Sequence, residues 1–580
     1  MNRYRIQPLA LAVGATTLAA FAVAVDTIAA SPPALSAWQV VVNNGDFMPT
    51  DSCDPTVPNP TTPPCRTFNS YNQPSVNADQ LVVLRARSRG GQGLGQPVHG
   101  IYTRDMAAGA PVVKIFDRQT LVPQPNNLGT VFIEPPSFPR IDIGSDTIAT
   151  RGNHQPVWRY FLEDGTETRA GTTGVYTNAF GDLITGASKL GIVPEFAFFE
   201  VPEATGIPFD VFPGAPSATD GATIVFKGNY TLPAPTPEDP NATISKTGVY
   251  YRDLVDAPIP LDGTSLSPAG GTNPVVLIAN NTDTLIPGTT TVFGSTAPPS
   301  AANRQAVFAG FDNEENPTLG GIYLAPLAQM PPLATLVSIG VQVPGEPVQS
   351  TFNRLGEGVA FDGRFVAFWG AWGTVTKTLV LQCPTEGSAG LVAFCNALYP
   401  DGFTTTVPLH QGIFVHDTRT GQTRAVAKTP ADFDDFLYWN FSGRVPGTGE
   451  GDDDGELARW RSTAFVAVSG LVDGSLIDGT FHAAFKARTG EVLAGAYVNP
   501  VDGIYLRQGP GQSQIVAVVE AGMDGTILDP EAVDDLGSSL PVTEMGIERD
   551  GFRGSTLVIN ASMGSEETGW AGVYLTEVLR

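Results

Sequence analysis

The sequence predicts an all-β protein in which seven copies of one small antiparallel sheet close into a ring, and three observations carry that prediction. After the first thirty residues, long period-3.6 apolar patterns are absent, and short apolar or alternating runs bounded by Gly, Pro, Asn and Asp recur instead, which is how strands and turns read. A Gly-aliphatic-aromatic triplet returns seven times. The strand missing after the last triplet is found at the other end of the chain.

The triplets are Gly100-Ile101-Tyr102, Gly174-Val175-Tyr176, Gly248-Val249-Tyr250, Gly321-Ile322-Tyr323, Gly412-Ile413-Phe414, Gly503-Ile504-Tyr505 and Gly572-Val573-Tyr574. Successive glycines lie 74, 74, 73, 91, 91 and 69 residues apart. Near-regular recurrence across the whole chain is the mark of a repeat architecture. Ahead of most triplets runs a strand such as Gln305-Ala306-Val307-Phe308-Ala309, and behind each runs another, such as Gln514-Ile515-Val516-Ala517-Val518-Val519. Each unit is thus a meander whose two apolar faces need neighbours on both sides. The glycine is expected to admit a close neighbouring blade, with the aromatic two residues on filling the gap beside it.

Only six residues follow Tyr574, so the last unit lacks its final strand. Trp38 to Asp46 has the look of the strands behind the other triplets. One blade completed by strands from both termini closes the ring and removes exposed sheet edges. The fold class expected is therefore a seven-bladed β-propeller, one domain over residues 31–580, with enlarged loops near 376–410 in blade 5 and 431–460 in blade 6. The units, with Phe…Asn/Asp-Gly…Val-Ala-Phe…Gly-Ile-Tyr and a strand ending near Val343-Pro344-Gly345, resemble those of exported bacterial β-propeller-like repeat proteins of uncharacterised function. The resemblance implies an architecture and carries over no catalytic residues.

Residues 1–30 read as a secretory signal: Arg3 and Arg5, an uncharged apolar run from Leu9 to Val25, then Ala29-Ala30 as a small-residue cleavage site. The run is shorter than the roughly 20 residues a spanning helix wants. The mature chain is thus expected outside the cytoplasm, in the periplasm or the medium, as a monomer with no membrane span. Four cysteines fall into two equally spaced local pairs, Cys53 with Cys65 and Cys383 with Cys395. Short loops close at little entropic cost, which favours these pairings among the three connectivities. A net charge of −25 argues against nucleic acid, whose phosphates are bound by clustered Lys and Arg.

Chemistry is expected on the enlarged loops. Asp434, Asp435, Tyr438 and Trp439 combine aromatic faces with carboxylates, as a carbohydrate-binding surface does; the competing reading packs these aromatics between blades 5 and 6. Glu450, Asp452 and Asp454 alternate ahead of Gly455 like the front of a calcium loop, but Arg461 stands where a helical-hand loop needs a bidentate Glu. Calcium is the cofactor such a loop would take; otherwise the run is solvated charge. His410 and His416 lie roughly 20 Å apart on an unbroken strand and cannot share a metal. No His-Glu-x-x-His, phosphate-loop or Gly-x-Ser-x-Gly pattern occurs. The sequence therefore favours an exported binding or interaction module for a protein or carbohydrate partner. A carbohydrate-active hydrolase or lyase and a structural envelope or matrix component are the alternatives. The geometric discriminator is the channel: one lined by paired carboxylates favours an enzyme, and a plugged one with a broad loop face favours binding.

Overall fold

The computed structural model describes residues 33–49, 66–89, 97–126, 129–154, 158–161, 165–170, 173–261, 265–266, 270–385, 389–444, 456–470, 479–493, 496–510, 513–564 and 569–579. The proposed signal, Cys53, Cys65 and the Glu450, Asp452 and Asp454 loop lie outside the described residues.

Seven antiparallel sheets form a seven-bladed β-propeller. Blade 4 shows the pattern. Its inner strand comes in two pieces, Ser295–Thr296 and Ser300–Ala302, followed by a second strand Gln305–Phe311, a third Gly320–Pro326 and an outer strand Ala334–Ser338. The inner pieces Ser75–Val76, Arg140–Ile141, Ser217–Thr219, Ser300–Ala302, Ala360–Phe361, Val466–Gly470 and Phe552–Arg553 each pack on the next, and the last packs on the first. That cycle is the closed ring.

Closure uses the strand expected for it. Gln39–Asn43 pairs antiparallel with the third strand of blade 7, Val42 opposite Val573 and Asn43 opposite Gly572. The outer-strand ladder of each blade shifts register at the same place, between the aliphatic and aromatic residues of the triplet strand in blades 1 to 6. In blade 7 the shift lies between Val40 and Val42, on the N-terminal strand itself. A bulge there adds twist to the outer edge of the blade, and the borrowed strand reproduces it.

The triplet glycine faces a different neighbour from the one its spacing suggests. A Cβ on Gly100, Gly248 or Gly572 would lie 2.6, 2.6 and 2.5 Å from the hydroxyl of the tyrosine two residues on. The tyrosine of the same strand, not the adjacent blade, lies back over the glycine and covers it. Opposite stands another small residue, as in Gly228 to Gly248, Gly370 to Gly412 and Ala487 to Gly503. Over this second small residue sits a phenylalanine from the start of the blade. Edge-to-face ring pairs result in Phe68–Tyr102, Phe132–Tyr176, Phe209–Tyr250, Phe293–Tyr323 and Phe352–Phe414, with centroids 4.9 to 5.4 Å apart, and a tilted Phe433–Tyr505 pair occurs at 4.5 Å. Such pairs contribute about 0.5–1.5 kcal/mol beyond their burial.

Blade 7 replaces the phenylalanine with a buried carboxylate. Asp529 accepts from Asn43 Nδ2 at 2.9 Å, Trp570 Nε1 at 2.8 Å and the Tyr574 hydroxyl at 3.3 Å. Asn43 belongs to the borrowed strand, so Asp529 ties both termini to one group. Burial and the Asp529 charge push the Tyr574 hydroxyl pKa up, keeping it a donor.

Candidate functional site

The axis of the ring is filled. Arg140, on the inner strand of blade 2, is fully buried. Its Nε and Nη2 donate to both oxygens of Asp550 at 2.6 and 2.7 Å, and its remaining N–H groups reach the Pro299 carbonyl at 2.8 Å and Ser300 Oγ at 3.0 Å. Arg553 also binds Asp550 and donates to the Val468 and Phe361 carbonyls, both at 3.3 Å. One arginine–carboxylate–arginine link therefore joins blades 2, 4, 5, 6 and 7 across the centre. Burial alone would raise the Asp550 pKa, but Arg140 and Arg553 beside it hold it below the usual carboxylate range. At this point the axis is closed by compensated charge.

The face at which second strands turn into third strands is raised unevenly. Blades 4 and 7 turn back soon after their small-residue pair, at Phe311 opposite Gly320 and Met563 opposite Trp570. Blades 3, 5 and 6 continue to Pro233 opposite Thr243, Leu381 opposite Phe403 and Leu493 opposite Ala496. Blade 2 carries a separate ribbon, Trp158–Phe161 with Glu167–Ala170. Blade 6 adds another, Tyr438–Arg444 with Glu456–Thr463, placed in the gap between the two parts of its inner strand.

The enlarged loops of blades 5 and 6 meet. The blade 5 hairpin carries a helix, Ala389–Leu398, pinned by the Cys383–Cys395 disulfide. Phe394 and Tyr399 pack on Phe441 of the blade 6 ribbon, both with centroids 6.1 Å apart, and Phe403 stacks on Trp460 at 6.2 Å. A small aromatic core thus roofs two blades.

Asp434, Asp435, Tyr438 and Trp439 fall together at the foot of this roof. Asp435 is 1% exposed, pairs with Lys377 Nζ of blade 5 at 3.1 Å and accepts from the Phe436 and Leu437 amides at 2.9 and 3.0 Å. The Asp434 amide donates to the Arg488 carbonyl at 3.0 Å, and its own carbonyl accepts from Lys377. Tyr438 is buried under two cations, Lys486 Nζ at 4.0 Å and the Arg488 guanidinium at 4.9 Å from the ring centre. Trp439 packs on the core shared by blades 5 and 6. Lys377 and the core around Trp439 tie this stretch to blade 5, while Arg488 and Lys486 hold it within blade 6. Burial lowers the Lys377 pKa, and Asp435 opposes that shift.

No local motif announces a mixed-charge group drawn from blades 3, 4 and 5 and the blade 6 ribbon. Lys227 of blade 3 interacts electrostatically with Glu357 of blade 5, Glu314 of blade 4 and the ribbon arginines Arg461 and Arg459. Glu357 is reached by solvent yet is set deep among protein atoms, and that burial pushes its carboxyl up while Lys227 pulls it down. Among the described residues no group of three or more His, Cys, Asp or Glu side chains is placed to hold a metal ion, and no helix is long and apolar enough to cross a membrane. His410 and His416 share the strand Phe403–Asp417, where His416 Nδ1 pairs with Thr423 Oγ1 at 2.9 Å.

Sequence reasoning missed the axial arginines and the Phe partner of the triplet aromatic in blades 1 to 6. The recurring phenylalanine was a visible signal for the second; nothing local marks the first. No protein-family model and no curated protein matches the chain. Among solved structures it is similar to the Niastella koreensis GH74 enzyme, at 12% identity over 88% of this chain and 67% of that one, with a TM-score of 0.16. It is also similar to the tricorn protease, at 11% identity over 86% of this chain and 55% of that one, with a TM-score of 0.11. Neither likeness carries a functional argument.

Proposed function

We propose that the protein is an exported binding module that presents the raised face of its ring to a protein or carbohydrate partner. The single observation behind this reading is the contrast between a filled axis, where Arg140 spans from Asp550 to Ser300, and the long hairpins that rise on one face. Loops held on a rigid scaffold are where binding residues concentrate. The signal pattern of residues 1–30 and the Cys383–Cys395 disulfide support export, since disulfides persist in oxidising compartments.

A photo-crosslinking side chain placed at exposed Asn440 or Thr404 on the raised face, and at exposed Asn303 on the opposite turn, tests the proposal. Partner capture from the native milieu is expected at Asn440 or Thr404 and not at Asn303. Capture at Asn303 alone, or equally at all three, would overturn it.

A further inference from the structure

A second polar feature on the raised face stands apart from the blade 5 and 6 roof. In blade 1 a recess of about 180 Å3 is lined by Ser70, Asn72, Arg85, Ala86, Arg87 and His99. Arg85 and Arg87 stand two apart on one strand and so project from the same face of the sheet. Arg87 pairs across the ladder with His99. Asn72 Oδ1 accepts from Arg85 Nη1 at 2.7 Å, and Glu134 of blade 2 approaches Arg85 Nη2 only to 4.0 Å, with its own side chain 41% exposed. The Arg85 Nε–H is buried and has no hydrogen-bond partner among the described residues.

The balance of charge here is opposite to that of the chain. The protein carries a net −25, yet His99 feels Arg85, Arg87 and Arg118 against the single acid Glu134. Burial and Arg85 lower the His99 pKa, so near neutral pH its ring is uncharged and still offers one N–H. A buried guanidinium N–H left unmade is costly, and paired guanidinium groups suit the planar, bidentate contacts of carboxylate, sulfate or phosphate. Size narrows the choice further. The recess is smaller than the roughly 300–1,000 Å3 of drug-sized sites, so it suits one anionic group.

We propose that the blade 1 recess binds a single oxyanion group, held by Arg85 and Arg87 with Ser70, Asn72 and His99 as neutral partners. This inference rests on the binding-module reading and specifies the chemistry of one subsite on its face. The oxyanion reaches the recess either as a free inorganic ion or as the acidic group of a small sugar acid.

Calorimetric titration of the full chain with sodium sulfate, sodium phosphate and glucuronate at constant ionic strength tests it. One saturable site per chain is expected, weakened at least tenfold by Arg87→Ala and by Arg85→Met. Tighter binding of glucuronate assigns the site to a sugar acid, and tighter binding of sulfate or phosphate to the inorganic ion. Absence of saturable heat with all three, or binding unchanged in Arg87→Ala, overturns the proposal. Arg87 is exposed, so this variant decides the matter should Arg85→Met fail to fold. Crosslinking at Asn440 or Thr404 does not depend on the recess, so loss of the anion site with capture retained refutes the subsite and not the binding module.

Discussion

Two arginine clusters in this ring have opposite fates. At the axis, Arg140 has every one of its guanidinium nitrogens engaged by Asp550, the Pro299 carbonyl and Ser300 Oγ. Arg553 binds the same Asp550 and backbone carbonyls, its Nε–H alone lacking a hydrogen-bond partner among the described residues. In the blade 1 recess, Arg85 has one firm partner, a carboxylate at arm's length and a buried Nε–H with no hydrogen-bond partner among the described residues. Both clusters use the same residue. A guanidinium enclosed with its own carboxylate is a structural tie, whereas one in a solvent-reached recess, with its nearest carboxylate 4.0 Å away, is a docking point.

Breaking the axial cluster should have the largest effect. Asp550→Ala leaves two buried guanidinium groups facing each other without their shared carboxylate. Removing one partner of a buried pair costs roughly 3–5 kcal/mol, and chemical denaturation should show a loss of that order. A loss below about 1 kcal/mol would mean that the axis is hydrated and that its charges are not structurally coupled.

Buried histidines sharpen the contrast from the other side, because a buried base without a counter-charge must stay neutral. His154 and His482 are almost wholly buried, and burial alone lowers their pKa values to about 4. Unfolded histidine titrates near 6.5, so the unfolded chain takes up these protons first. The stability they protect is complete above pH 6.5 and is lost as pH falls through that value towards 4. The shift corresponds to roughly 3 kcal/mol per histidine. Unfolding free energy followed from pH 7 to 4 should fall steeply, and His154→Phe should flatten part of the slope.

A smaller effect is expected within a single blade. In Gly228→Ala the new methyl would lie 2.5 Å from the Phe209 ring, so either the ring or the strand must move. Overpacking of this kind costs about 1–3 kcal/mol, and the thermal midpoint should drop accordingly. Blades 1, 6 and 7 already carry Ala86, Ala487 and Ala561 at this register. Ala561→Gly in blade 7, which has no phenylalanine stacked there among the described residues, should change the midpoint far less.

These regions were not equally legible in the sequence. The triplets were readable because glycine and the aromatic sit two residues apart on one strand, a purely local relation. Ring closure was readable because the strand missing behind Tyr574 and the spare strand at Gln39–Asn43 have the same pattern. The phenylalanine partners were harder, since Phe293 stands close before Tyr323 while Phe352 is separated from Phe414 by the blade 5 helix. For Asp434 to Trp439, composition gave the residue types and could not say whether they face a ligand or a neighbouring blade. That depends on Lys377 and Lys486, which belong to other strands. The axis was hidden entirely: Arg140 and Asp550 are 410 residues apart, and no periodicity links them.

The mildest variant is also the most discriminating. Arg87 is exposed, and its guanidinium lines the recess without belonging to a buried pair. Arg87→Ala should therefore leave the unfolding free energy within about 0.5 kcal/mol of the parent, as surface substitutions usually do, while oxyanion binding falls. Asp550→Ala should do the reverse, lowering stability while leaving oxyanion affinity intact at temperatures where the ring is folded. If Arg87→Ala destabilised the ring as Asp550→Ala does, the recess arginines would be ties between blades like those of the axis. The distinction between guanidinium groups enclosed with a carboxylate and those of the recess would then lose its functional meaning.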